Sequence, residues 1–124
     1  MNIIKQRFNN DCVIACVAMI AGVTYDEVFF RAVERGFVPD NGEGLQIWQT
    51  LEHMGFDCDW CDGGHGLFEP VARIVSVYSQ TRDDLLHAVV VKAGHVFDPQ
   101  GAFPYGIKYV MDNVTHTFFD FEPL

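Results

Sequence analysis

The sequence predicts an α+β domain with helices in its first half, one of them buried on every side, packed on an antiparallel β-sheet formed by its second half. Three observations carry this expectation. The run Cys12 to Ala21, CVIACVAMIA, holds no charge and no polar amide, and a helix apolar all round must lie inside a domain with packing on each face. Two further stretches before Gly55 repeat apolar residues at helical spacing. From about Ala72 the pattern changes to short runs rich in Val, Ile, Tyr and Phe broken by turn residues, which is strand patterning. Helices followed by strands is the α+β layout.

Each element has its own local signals. For the central helix, Asp11 or Asn10 can cap the first turn with a side-chain oxygen, and Gly22 suits the left-handed residue that closes many helices. Thr24 and Glu27 have capping-box spacing, which predicts a second helix from Tyr25 to Arg35 with Tyr25, Val28, Phe29, Ala32 and Val33 on its apolar stripe; Gly36 stops it. FVPDNGEG reads as an exposed loop. A third helix is expected at about Leu45 to Met54, with Leu45, Ile47, Trp48, Leu51 and Met54 near helical spacing. Four or more strands are expected in ARIVSVYS, HAVVVKAGHVFDP, IKYVM and THTFFDFEP.

Composition narrows the function classes. The 124 residues, 49% hydrophobic, fit one domain, residues 1–124, with a single sizeable core. The N-terminus shows no signal peptide, and the longest apolar run is too short to span a bilayer. Four cysteines without an export signal read as reduced thiols in the cytoplasm rather than as a disulfide framework. A formal charge of −9, with eight scattered Lys and Arg, disfavours nucleic-acid binding.

The chemistry-bearing residues converge on Cys12. It occupies the first turn of the buried helix, where free backbone N–H groups and the helix dipole favour a thiolate, whereas Cys16 one turn later reads as packing. The pair Ala93-Gly94 between HAVVV and HVFDP predicts a two-residue hairpin with Lys92 opposite His95 and Val89 opposite Asp98. His87 and Asp98 then become diagonal neighbours on one face, and His95 falls on the other. A thiol nucleophile needs a base, and the base needs an orienting partner; Cys12, His87 and Asp98 supply the three. Acyl transfer also needs oxyanion donors, which the Gln6 side-chain amide and the Cys12 backbone N–H can provide.

Gln6 and Cys12 at the start of a buried helix, then AMIAG, GLQIWQTLEHMGF, HAVVV and VFDPQG, resemble the papain-like bacteriocin-processing peptidases, also called double-glycine peptidases. The similarity runs in order over nearly the whole chain. It implies a papain-like cysteine peptidase fold, with Gln6 in the oxyanion hole, Cys12 attacking, His87 as base and Asp98 orienting it. Val13 stands where family members commonly carry Gly. No cofactor or metal is implied, and the expected partner is a peptide or protein substrate.

Cys58, Cys61 and His65 in CDWCDGGH offer a partial zinc set, but three ligands fall short of the four of a structural site. His53 and His116 show no evident partners. Two function classes follow: a cysteine peptidase or related thiol acyl-transfer hydrolase, and a non-catalytic member of the same fold that binds a peptide or inhibits a partner protein. The sequence leaves open the substrate, and whether the reaction is proteolysis, deamidation or acyl transfer.

Overall fold

The computed structural model describes residues 1–8, 11–38, 47–78, 86–101 and 106–122, without the His53 side chain. The apolar run forms α1 (Cys12–Ala21), buried from Cys12 through Met19. Gly22 closes it in the left-handed region at φ 68°, and its N–H donates to the Ala18 carbonyl at 3.0 Å. No other atom crowds the place of a Cβ there, so the glycine is demanded by backbone conformation alone.

α2 (Tyr25–Glu34) starts as its capping signal predicts, the Thr24 hydroxyl accepting from the Glu27 N–H at 3.2 Å. Tyr25, Val28 and Ala32 are buried, whereas Val33 on the expected stripe is exposed. α3 (Ile47–His53) buries Ile47 and Leu51, with Met54 just beyond it, and leaves Trp48 exposed. Leu45 and most of the FVPDNGEG loop, from Pro39 on, lie outside the described residues.

The sheet is antiparallel throughout. Its strands are β1 (Asp59–Asp62), β2 (Arg73–Tyr78), β3 (Leu86–Lys92), β4 (His95–Phe97) and β5 (Val114–Phe119), in the spatial order β1-β5-β2-β3-β4. Alternation along the central strands serves two cores. Ile74, Ala88, Val90 and Phe118 pack with the helices α1 to α3 on one face. Val75, Val77, Val89 and Val91 pack on the other with Leu67 and with Val110 of α4 (Gly106–Asn113).

Two elements differ from the sequence reading. IKYVM, expected as a strand, lies in α4: Ile107 and Val110 are spaced to present one side of a helix to the second core. Packing there overrides the β-propensity of the two residues. The segment DWCD, which is not among the expected strands, is the edge strand β1, whose Trp60 pairs with Phe118 of β5 while its own ring stays exposed. An edge strand with one wet side carries little hydrophobic alternation to betray it.

Enclosure of α1 makes a direct prediction. Met19→Asp places an unpaired charge among buried apolar groups, at a cost on the order of 4 kcal/mol or more. The variant is expected to be unfolded or insoluble. A soluble variant melting at the wild-type temperature would show that this side of α1 is open.

Candidate active site

Three chain segments meet around the N-terminus of α1. The β3–β4 hairpin supplies the first pair of residues. Its turn is built as expected, with Ala93 and Gly94 at φ 52° and 75°, the positive angles that a tight hairpin turn requires. The register is also as expected, pairing Lys92 with His95, Val91 with Val96 and Val90 with Phe97. Carried one pair further it sets Val89 opposite Asp98, so His87 and Asp98 sit together at the open end of the hairpin.

There His87 Nε2 lies 2.7 Å from Asp98 Oδ1, with both side chains buried. Asp98 is fixed in turn by the Gln100 N–H, which donates to the same oxygen at 2.8 Å, and by the Gly101 N–H, which donates to its carbonyl at 2.8 Å. With Nε2 engaged by the carboxylate, Nδ1 is the ring nitrogen left for the sulfur, and Cys12 lies close enough to the ring to raise its pKa. By alternation His87 belongs with Val89 and Val91, whereas α1 packs on the Ala88 and Val90 side.

These contacts set the charge of the ring. Burial opposes protonation, but the ring's hydrogen bond to Asp98 and then its interaction with Cys12 outweigh it, and the His87 pKa is pushed up to about 9. Cys16, one turn below Cys12 and fully buried, is held well above the ordinary thiol range by burial, by Cys12 and by Asp98; it packs as a neutral thiol. Val13 is buried in the main core, so its branched side chain points away from solvent.

Gln6 enters from the strap before α1. Its backbone N–H donates to the Pro99 carbonyl at 2.8 Å, next to Asp98, and its Nε2 donates to the Phe8 carbonyl at 2.7 Å. Gln6 Oε1 is buried without a hydrogen-bond partner among the described residues. A buried acceptor left unpaired costs free energy.

Asp11 does not cap α1 as expected. Its side chain makes no capping bond; the buried carboxylate instead accepts from the Arg7 and Phe8 N–H groups at 2.8 and 3.0 Å and from the Tyr25 hydroxyl at 2.5 Å. Asn10 lies outside the described residues. Burial, and then the bond to Asp11, raise the Tyr25 pKa. This role was not read from the sequence. The signal for it was an acidic residue within side-chain reach of two backbone donors three and four positions earlier.

The remaining candidates lie elsewhere. His95 is exposed at the far end of the hairpin, where Lys92 faces it. His116, expected to lack partners, contacts Thr115 Oγ1 at 3.1 Å and Asp62 at 3.2 Å. Cys61 lies on β1 and Cys58 packs against the main core. Burial, and then Asp57 and Asp59, push the Cys58 thiol up to about 11, which disfavours the thiolate a metal needs. Among the described residues no three His, Cys, Asp or Glu side chains gather as a metal set.

A pH dependence follows from the ring. The folded pKa of His87 lies above its ordinary value of 6.5, so the folded state holds this proton more tightly than the unfolded chain. Its contribution to stability is complete below pH 6.5 and disappears as pH rises through about 9. Denaturant unfolding of the wild type and Asp98→Asn across this window checks it. The gap between the two should close towards high pH, and a gap that widens would contradict the assignment.

No protein-family model matches the chain, and no curated protein matches it. Among solved structures it is similar to the peptidase domain of Streptococcus ComA, a bi-functional ABC transporter involved in a quorum sensing pathway. The TM-score is 0.68 and the identity 18%, over 98% of each chain. The architecture laid out above is thus an α+β papain-like fold, shared with that peptidase domain over nearly the full length of both chains.

Proposed function

We propose that the chain is a cysteine peptidase-like hydrolase that cleaves a peptide or isopeptide bond, with Cys12 as nucleophile, His87 as base, Asp98 as its orienter and Gln6 as an oxyanion donor. The observation that carries this reading is the buried His87 ring, held at 2.7 Å by Asp98 and near enough to Cys12 for the two to interact. A core packed for stability alone has no need of a thiol, an imidazole and a carboxylate in series. Likeness to a peptidase domain supports the same reading.

The reaction runs through a thioester. The proton of the Cys12 thiol passes to His87 Nδ1, where the raised pKa of the ring holds it at neutral pH, and the sulfur attacks the scissile carbonyl carbon. The carbonyl oxygen takes up negative charge, and one Gln6 amide N–H with the Cys12 backbone N–H donates to it. As the tetrahedral species collapses, the C–N bond breaks and the amine leaves with the proton from His87. Water then attacks the thioester, His87 takes its proton, and the carboxylate product departs from a restored thiol. Asp98 keeps the ring oriented and balances its positive charge throughout.

The partner in this reading is a peptide or protein with small residues before the scissile bond, since Cys12 is only 9% exposed. A formal charge of −9 disfavours nucleic acid. Four free thiols fit the reducing cytoplasm. Among the described residues no helix is long and apolar enough to cross a membrane.

Hydrolysis of a fluorogenic peptide ending in Gly-Gly before its leaving group tests the roles together. Cys12→Ala and His87→Ala should each abolish turnover in a folded protein. Gln6→Ala should lose roughly 100- to 1,000-fold, the effect of deleting one oxyanion donor, and Asp98→Ala should fall between. If the folded wild type neither turns over peptides nor is captured by a peptide aldehyde, the hydrolase reading fails. Non-catalytic peptide binding by the same fold then takes its place.

A further inference from the structure

We propose that Asp11 is a positioning residue for the Gln6 carboxamide, fixing the strap before α1 so that one Gln6 N–H stays available to an oxyanion; this rests on the role given to Gln6 above. Asp11 is fully buried. Its backbone, at φ −113° and ψ 19°, is not in the extended conformation of an ordinary helix cap. Its carboxylate turns back on the strap and accepts from two consecutive backbone donors, Arg7 N–H and Phe8 N–H.

The residue fixed in this way holds Gln6. The Phe8 carbonyl can only accept, so the carboxamide nitrogen, not its oxygen, must face it across the 2.7 Å bond. That sets which way round the amide sits and turns Oε1 into a buried position where it has no hydrogen-bond partner among the described residues. A carboxamide nitrogen carries two hydrogens; Phe8 takes one and the other remains. On its far side Gln6 is tied by its backbone N–H to Pro99, beside Asp98.

Asp11 is itself anchored from α2. The Tyr25 hydroxyl donates to it, the Arg7 guanidinium lies 4.1 Å from the centre of the Tyr25 ring, and Arg7 pairs with Asp26 at 2.7 Å. Three donors converge on one acceptor group. A carboxylate satisfies all of them, whereas an asparagine amide would set its own N–H groups against at least one. The strap would then lose its fixed path, and the Phe8 carbonyl its place.

The test pairs Asp11→Asn with Tyr25→Phe, which removes one anchor and keeps the packing. In an amide proton–nitrogen spectrum the Gln6 side-chain pair is assigned by its disappearance in Gln6→Ala. Both variants should move that pair towards the position of an exposed glutamine, Asp11→Asn further. With the Gly-Gly peptide, Asp11→Asn should lose turnover by no more than the roughly 100- to 1,000-fold of deleting the donor, while its rate of Cys12 alkylation stays within about two-fold. In the Gln6→Ala background it should cost nothing more.

Unmoved Gln6 resonances in both folded variants would overturn the proposal, as would a further loss in the double variant or a parallel fall in alkylation. If Asp11→Asn does not fold, Tyr25→Phe decides. A wild type that leaves peptides intact would remove the hydrolase reading, while the resonances would still report whether Asp11 holds the amide.

Discussion

Everything about the site depends on the enclosure of α1. A helix with no polar face cannot lie on a surface, so its sides are taken by α2, α3 and the Ile74, Ala88, Val90 face of the sheet. The sides being closed, polar chemistry meets α1 at its buried N-terminus, next to Asp11. Cys12 stands there, in the first turn, whose backbone N–H groups have no partner within the helix. The same packing sets the end of the β3–β4 hairpin beside that terminus, and with it His87 and Asp98.

Polar groups at this junction form two connected sets. Asp98 collects the His87 ring and the Gln100 N–H; Asp11 collects two strap N–H groups and the Tyr25 hydroxyl. Each carboxylate is buried and each is met by donors, as a buried charge must be. Gln6 joins the sets, its backbone bonded to Pro99 and its side chain to Phe8. His87 and the strap that carries Gln6 are thus held by separate carboxylates, each met by donors from a different part of the fold.

What the sequence disclosed follows the reach of local signals. α1 was legible because ten apolar residues between Asp11 and Gly22 allow little else. The His87–Asp98 pair was legible because a two-residue turn at Ala93-Gly94 dictates register. α4 was not, because Ile107 and Val110 are strand formers whose helical spacing matters only once the second core exists to receive them. β1 was hidden by its exposure at the sheet edge. Asp11 was misread for a related reason: a cap is the local use of such a residue, and its third donor comes from the next helix.

The central claim is that Cys12, alone among four thiols, is made reactive by His87 and Asp98. Peptide mapping of the folded protein after limited alkylation with iodoacetamide at neutral pH measures this directly. Cys12 is nearly buried, whereas Cys58 and Cys61 are partly exposed, so accessibility and activation make opposite forecasts. Modification of Cys12 ahead of Cys58 and Cys61, with that preference lost in His87→Ala, is the result this account predicts. Modification of Cys58 or Cys61 while Cys12 stays intact would contradict it.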